Sequence, residues 1–526
     1  MAGVQPPFST VRSSRSMVAS ADQLATQAGL AILARGGNAV DAAIATNAAI
    51  AVTCPHLCGM GGDLFALIHD GSAVHALNGS GRAGSGVDAA ALRAGGHTTM
   101  PFRHDVRTVT VPGCVDGWVA LHERFGQLPL ADVFEPAIHL AKDGFPASIL
   151  LVGSLSRLDD RGRDSLSELS SQARRPGDRV RRPGVARALR AVAEGGRDGF
   201  YLGEFGEGLQ ELGAGTYTRE DLDTPGSTWV APLSTAAFGR VLHTIPPNSQ
   251  GYLLLGAASL ADQLDLPGDP DDERWAHLLI EAAKAAGRDR PDVLHEGADG
   301  VALLAAIAGR LGEIDPDIAS PLPRRLLDGD TTYLCTVDEK RMGVSLIQSN
   351  ASGFGSWLVE PNTQINLHNR GLGFSLEPGH PAELSPGRRP PHTLSPAIAT
   401  MPDGRLASVF GTMGGDAQPQ ILLQLAARLF HHGQSPAVAI NAGRWVLNGP
   451  VTGFDTWTAP DGPHVLIEGH APTGWKVALD GRGHDARIEP PYDSGFGHAH
   501  AIVVGDDGFL AGAADPRTRI GSAAGM

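Results

Sequence analysis

The apolar positions of this chain change their spacing several times, and the changes divide it into stretches. Through "ADQLATQAGLAILARGGN" they recur at helical spacing and stop at Gly36-Gly37; Asn38 then caps a second helix, "AVDAAIATNAAIAVT". "DLFALIHD" and "SAVHAL" alternate as two short strands around a turn at Asp70-Gly71. Helical spacing returns from about Cys114 to Glu194, in "CVDGWVALHERF", "LADVFEPAIHLAKDGF" and "GVARALRAVAEGG". Strands near 228–245 lead into "IPPNSQG" (245–251), and helices follow to about Leu311. A stretch with little periodicity, "GEIDPDIASPLPRRL", precedes a strand-dominated region, 331–411: "TTYLCTV", "GVSLIQS", "PAIATM" and "RLASVFGT". The helix "PQILLQLAARLF" comes next, and the last strands are "AHAIVVG" and "GFLAGAAD". There is no internal repeat. Strands with helices before and after them predict a layered arrangement of helices and sheets, and periodicity alone leaves the topology open.

Composition narrows the function. The 526 residues suffice for several domains or for one large layered sandwich. With 57 Asp+Glu against 42 Lys+Arg the formal charge is −15, which argues against nucleic-acid or anionic-membrane partners. The one basic run, "RRPGDRVRRPG" (174–184), is broken by Gly, Pro and Asp and reads as a solvated loop. Cys54, Cys58, Cys114 and Cys335 have no ligand spacing and read as small buried residues. "MAGVQPPFSTVRSSRS" has no apolar run of the signal-peptide kind, and no stretch approaches the roughly 20 apolar residues of a spanning helix, so the expectation is a soluble, cytoplasmic protein.

Most motif candidates are weak. "GSGRAG" (79–84) has the dinucleotide-fingerprint form but lacks the following helix and the acid about 20 residues on, so it reads as a glycine turn. There is no G-x-S-x-G. The histidine pairs His431/His432 and His498/His500 suggest no third ligand, and no metal or other cofactor is called for. Thr331 is different, because it opens a strand directly after Gly329-Asp330. A threonine hydroxyl needs a base beside it, and an economical one is the residue's own α-amine, available when the threonine is a chain terminus. That amine titrates near ~8, close enough to neutrality to accept a proton and return it. An internal Thr becomes terminal if its hydroxyl attacks the preceding carbonyl and that bond is cut.

"RGGNAVDAAIATNAAIAVTCPHLCGMGGDLFALIHDG" (35–71), "GDTTYLCTVD" (329–338), "GTMGGDAQPQ" (411–420) and "AADPR" (513–517) together resemble the γ-glutamyltransferase family of N-terminal nucleophile hydrolases, in the same order and over nearly the whole chain. The resemblance implies an α+β fold, the four-layer αββα sandwich. It implies a large chain, 1–330, cut between Asp330 and Thr331 from a small chain, 331–526, the two forming one interlocked domain. Thr331 then corresponds to the nucleophile, Gly414 and Gly415 to the oxyanion-hole pair, and Ser349 to a hydroxyl bonded to the nucleophile. Asn350 falls at or within one residue of a substrate-binding Asn.

The departures from the family pattern bear on substrate. Where glutathione-cleaving members have an Arg gripping the glutamyl α-carboxylate, this chain has Ser80, with Arg82 two residues later. In "HNRGLGF", Arg370 replaces a Gln and Gly373 an Asp that together hold the α-ammonium; His392-Thr393 replaces a carboxylate-binding serine pair. A buried ammonium that has lost its acid and faces a cation is disfavoured. The pattern resembles the acylase and amidohydrolase branch, with cephalosporin acylase and oxamate amidohydrolase as its types. The expected enzyme hydrolyses a small-molecule amide of an acidic acyl group, without an α-amine, through an acyl-enzyme on Thr331. Arg370, His392, Thr393, Arg82 and Asn350 are the expected substrate contacts. Changing Arg370 to Gln and Gly373 to Asp is expected to restore γ-glutamyl preference. The alternatives are a glutathione hydrolase or γ-glutamyl transferase using Arg82 or Arg370 as the carboxylate grip, a tailoring hydrolase acting on an unusual bond, and a catalytically silent binding homologue. A homo-oligomer of the processed heterodimer stays open.

Overall fold

The computed structural model describes residues 9–321, 330–448 and 464–526. Gly329 and the loop before it, expected to flank the cut, lie outside the described residues. Among the described residues, fourteen strands build two sheets: Val11–Ser13 (β1), Met17–Ser20 (β2), Asp63–His69 (β3), Val74–Gly79 (β4), Thr228–Val230 (β5), Leu233–Ala237 (β6), Arg240–Thr244 (β7), Asp330–Val337 (β8), Gly343–Ala351 (β9), Ala397–Thr400 (β10), Leu406–Thr412 (β11), Ala499–Val504 (β12), Leu510–Ala514 (β13) and Ser522–Gly525 (β14). One sheet runs β14-β2-β8-β9-β3-β4-β5 and the other β1-β13-β12-β11-β10-β7-β6. Every pairing within them is antiparallel.

Period-two alternation builds the layers. Phe65 and Leu67 of β3 and Tyr333, Cys335 and Val337 of β8 meet Ile398, Val409 and Ile502 of the other sheet in one buried cluster between the sheets. The intervening Leu64, Ala66, Ile68 and Leu334 face outwards onto Gln23–Ala34 (α1), Ala39–Thr53 (α2), Cys114–Phe125 (α3), Leu130–Asp143 (α4) and Pro183–Tyr201 (α5). Ala399, Phe410 and Ala501 face the other way, onto Tyr252–Ala261 (α6), Glu273–Gly287 (α7) and Gln418–Ala426 (α8). This is the expected αββα sandwich.

Local signals explain why the helices begin where they do. The Asn38 side chain accepts from the Val40 and Asp41 N–H groups, and Asp41 accepts from the Asn38 N–H in return, a capping box that opens α2. All fifteen residues of α2 are buried, as expected for a helix with apolar or small residues on every face. The region 114–194 breaks into several helices. A further three-stranded sheet, Trp445–Asn448, His464–Glu468 and Ala486–Glu489, had no clear period in the sequence.

The halves on either side of Thr331 share both sheets. β8 and β9 lie between β2 and β3, while β10 pairs with β7 and β13 with β1. The strand carrying Thr331 is therefore held on one edge by β2, and its partner β9 by β3, both strands of the N-terminal half.

Candidate active site

Thr331 lies at the end of the β8–β9 ladder, where the register shifts between Asp330 and Thr332. It is fully buried, and its Oγ1 donates to Ser349 Oγ at 3.1 Å. Ser349 Oγ also accepts from the Ala351 N–H at 2.8 Å and from Arg370 Nη2 at 3.1 Å. A guanidinium thus sits one hydroxyl away from the Thr331 oxygen, where it favours negative charge developing there. Arg370 Nη1 donates to Thr393 Oγ1 at 3.1 Å, so the fork spans β9 and the Thr393 loop. Burial lowers the Arg370 pKa to about 10, with Asp63 opposing the shift and Arg290 adding to it; the group stays charged at neutral pH.

The glycine pair lies on the other side of the Thr393 loop. Gly414 (φ 136°) and Gly415 (φ 54°) both occupy the left-handed region, which strains residues with a side chain. They open a short 3₁₀ turn, Gly415–Ala417, that runs into α8. Gln250, from the "PPNSQG" loop, fixes this turn to its neighbour: its Nε2 donates to the carbonyls of Thr393 and Gly415, both at 3.0 Å. Behind the turn, Arg444 Nη1 donates to the carbonyls of Phe496 (2.8 Å) and Gly497 (3.1 Å), and Gly497 lies against Gly414. Arg444 is itself paired with Asp515 at 2.6 Å, and Asp515 with Arg517 at 3.1 Å, all buried; the "AADPR" motif supplies Asp515 and Arg517.

A second buried anchor organises the site from below. Asp63 Oδ1 accepts from the N–H groups of Gly81 (2.9 Å) and Gly113 (3.2 Å). Its Oδ2 meets His392 Nε2 at 3.1 Å and His368 Nδ1 at 3.6 Å. Burial disfavours the Asp63 carboxylate, but His368, His392 and Arg370 outweigh it and hold the pKa at about 2. Burial drives His392 down to about 3, so its ring is neutral and its Nε2–H donates to Asp63, while Nδ1 accepts from the Leu394 N–H.

Several expected contacts sit elsewhere. His392 belongs to the Asp63 anchor, and its ring positions the loop on which Thr393 meets Arg370. Asn350 follows Ser349 in β9 and so projects to the opposite face, where its Nδ2 donates to the Pro55 carbonyl at 3.1 Å. Arg82 turns outwards, pairs with Glu296 at 2.7 Å and lines a separate cavity of about 510 Å³ with Asp116 and Arg197. Ser80, at the family's Arg position, is buried and spends its hydroxyl on Asn78 at 2.7 Å. Gly373 is no vacant place for an acid either, since a Cβ there would lie 2.3 Å from the Pro391 carbonyl oxygen. The Gly373→Asp half of the expected double exchange would therefore press on the Pro391 carbonyl.

Among the described residues, one trio has metal-ligand spacing: His277, Glu281 and His484, with ligand atoms within 4.8 Å of one another. Lys284 already occupies the role of cation there, donating to Glu281 at 2.8 Å and to His484 Nδ1 at 3.3 Å. His484 Nε2–H then donates to His277 Nδ1 and His277 Nε2–H to the Asp315 carbonyl, so one proton pattern satisfies the whole chain of contacts.

The gamma-glutamyltranspeptidase family model matches residues 25–526. The chain belongs to this family. Within it, the chain is 36% identical to the oxamate amidohydrolase proenzyme of Klebsiella pneumoniae, over 98% of this chain and 99% of that one. It is 35% identical to the glutathione hydrolase-like YwrD proenzyme of Bacillus subtilis, over 97% and 98%. The solved structure of cephalosporin acylase from Bacillus halodurans superposes with a TM-score of 0.89 at 34% identity, covering 100% of this chain and 99% of that one. Sequence reasoning missed Asp63, Gln250 and Arg444, whereas the "AADPR" motif contains Asp515 and Arg517. The loop "PPNSQG" was the one visible pointer to Gln250.

Proposed function

We propose that this protein is a self-processing amidohydrolase whose Thr331, made N-terminal by cleavage after Asp330, attacks an amide with a free carboxylate in its acyl group and no α-ammonium. Arg370 carries the reading: a buried guanidinium bridges Thr393 and the Ser349 hydroxyl that contacts Thr331. An anionic acyl group is favoured in the field of that positive charge. A γ-glutamyl head would bring an ammonium towards that cation, at a cost of several kcal/mol. One family member, oxamate amidohydrolase, supports the reading by its name, since oxamate joins an amide to a free carboxylate with no α-ammonium.

In this mechanism the Thr331 α-amine takes the hydroxyl proton as Oγ1 attacks. The N–H groups at Gly414 and Gly415 receive the oxyanion, and the amine returns the proton to the departing amine. Water then attacks the acyl-threonine by the same route and releases the diacid. The large and small chains stay together because they share both sheets.

The test is a pair of amides of one reporter amine, glutaryl and γ-glutamyl, which differ by the α-amine alone. The glutaryl amide should have the higher kcat/KM, by about tenfold or more, given the cost of a buried ammonium beside a cation. A ratio favouring the γ-glutamyl amide would make glutathione-type chemistry the better description.

A further inference from the structure

A second arginine stands beside the glycine pair. Arg290, in the helical turn Arg290–Val293, places Nη2 3.0 Å from Oδ1 of Asp416, the residue directly after Gly415. Its side chain is only 12% exposed. The neighbouring Asp289 does not compete for it, because Arg310 holds that carboxylate with both of its terminal nitrogens. The Arg290 Nε is buried with no hydrogen-bond partner among the described residues. So is the hydroxyl of Tyr252, which is 1% exposed, stands two residues after Gln250, and feels the Arg290 charge. A buried donor without a partner is costly, and an acceptor brought in by a ligand would relieve it. Arg290 also depresses the Arg370 pKa, which places the two cations within electrostatic reach of each other.

We propose that Arg290 is a specificity-determining residue of this site: it keeps Nη2 on Asp416 and presents its remaining donors to the free carboxylate of an acyl group two or three methylenes long. The inference rests on the acid-bearing acyl group proposed above and adds where that acid goes. An acyl carbonyl held at Gly414 and Gly415 lies one residue from Asp416. The far carboxylate of a succinyl or glutaryl group is of a length to reach the guanidinium paired with Asp416. Arg370, on the Ser349 side, then supports the reacting end. The Asp416 pairing fixes the fork in advance, so little side-chain entropy is lost on binding.

The experiment compares glutaryl and pentanoyl amides of one reporter amine, matched in chain length and differing in the terminal acid, on the wild type, Arg290→Gln and Arg290→Lys. For the wild type the glutaryl/pentanoyl ratio of kcat/KM should lie well above one. Arg290→Gln should lower that ratio about 10- to 100-fold, the range for a charged hydrogen bond, and mainly through KM. Arg290→Lys should give an intermediate ratio. If both substrates fall together and the ratio stays at its wild-type value, Arg290 merely supports the glycine turn and the inference is overturned. Should Arg290→Gln fail to process into two chains, an unchanged ratio in Arg290→Lys overturns it equally. A wild-type ratio below one would refute the acid-bearing acyl reading itself, an outcome no Arg290 variant can produce.

Discussion

At the scale of single residues, the site depends on backbone positions as much as on side chains. Gly415 at φ 54° holds its N–H where a β-branched residue could not without strain. Gly415→Val should therefore keep the fold but lose about 10²–10³ in kcat, the cost of one oxyanion donor. Steady-state kinetics on the folded variant, checked by circular dichroism, measures this, and an intact kcat would remove the oxyanion role. Thr331, Ser349, Gly414 and Gly415 were legible in the sequence because short motifs carry them. Arg370 was legible as a departure from the family pattern, and the structure puts it next to Ser349. Asn350 was misplaced by one strand step, because period two sends adjacent residues to opposite faces. Arg82 was misplaced because the chain turns outwards once Asp63 has captured the Gly81 N–H. Asp63 itself was invisible, since its partner His392 is 329 residues away and nothing local in "GGDLFALIHD" points to it.

At the scale of elements, strands and long helices were readable from periodicity, whereas the parts that hold the Gly414-Gly415 turn were not. The Arg444–Asp515–Arg517 brace joins the turn before β12, through Arg444 hydrogen bonds to its carbonyls, to the residues after β13, through ion pairs, and neither leaves a periodic trace. Removing one partner of such a buried set leaves the remaining charges uncompensated, at about 3–5 kcal/mol. Asp515→Asn should therefore lower the melting temperature clearly. It should also reduce kcat, because Arg444 fixes Gly497 against Gly414. Calorimetry together with kinetics checks both, and a variant with wild-type melting temperature and kcat would show that the brace supports neither. The capping box at Asn38 is the opposite case: two residues three apart satisfy each other locally, so the start of α2 could be read directly.

At the scale of the whole molecule, the sandwich buries titratable groups far from their ordinary protonation. Burial lowers His56, His392 and His500 to about 3 and His498 to about 4. Each therefore stays neutral in the folded state at pH values where the unfolded chain, near 6.5, is protonated. The unfolded state binds more protons across this window, so stability rises with pH between about 3 and 6.5 and falls on acidification. The melting temperature should drop by about 5 °C or more from pH 7 to pH 4.5. A flat or rising profile would mean that these rings are not buried as described. The layered class was legible from the succession of periods, but the order of strands was not, because each sheet pairs segments hundreds of residues apart. With that interleaving, a cut before Thr331 would leave β2 beside β8. The account turns on Thr331 as a new N-terminus that carries the acyl group. Intact-mass spectrometry of enzyme quenched during turnover of a glutaryl amide tests this most directly. The account predicts two chains, the smaller beginning at Thr331 and bearing a glutaryl adduct on its N-terminal peptide, with Thr331→Ala remaining a single inactive chain. An active, uncut 526-residue chain, or an adduct on any other residue, would contradict it.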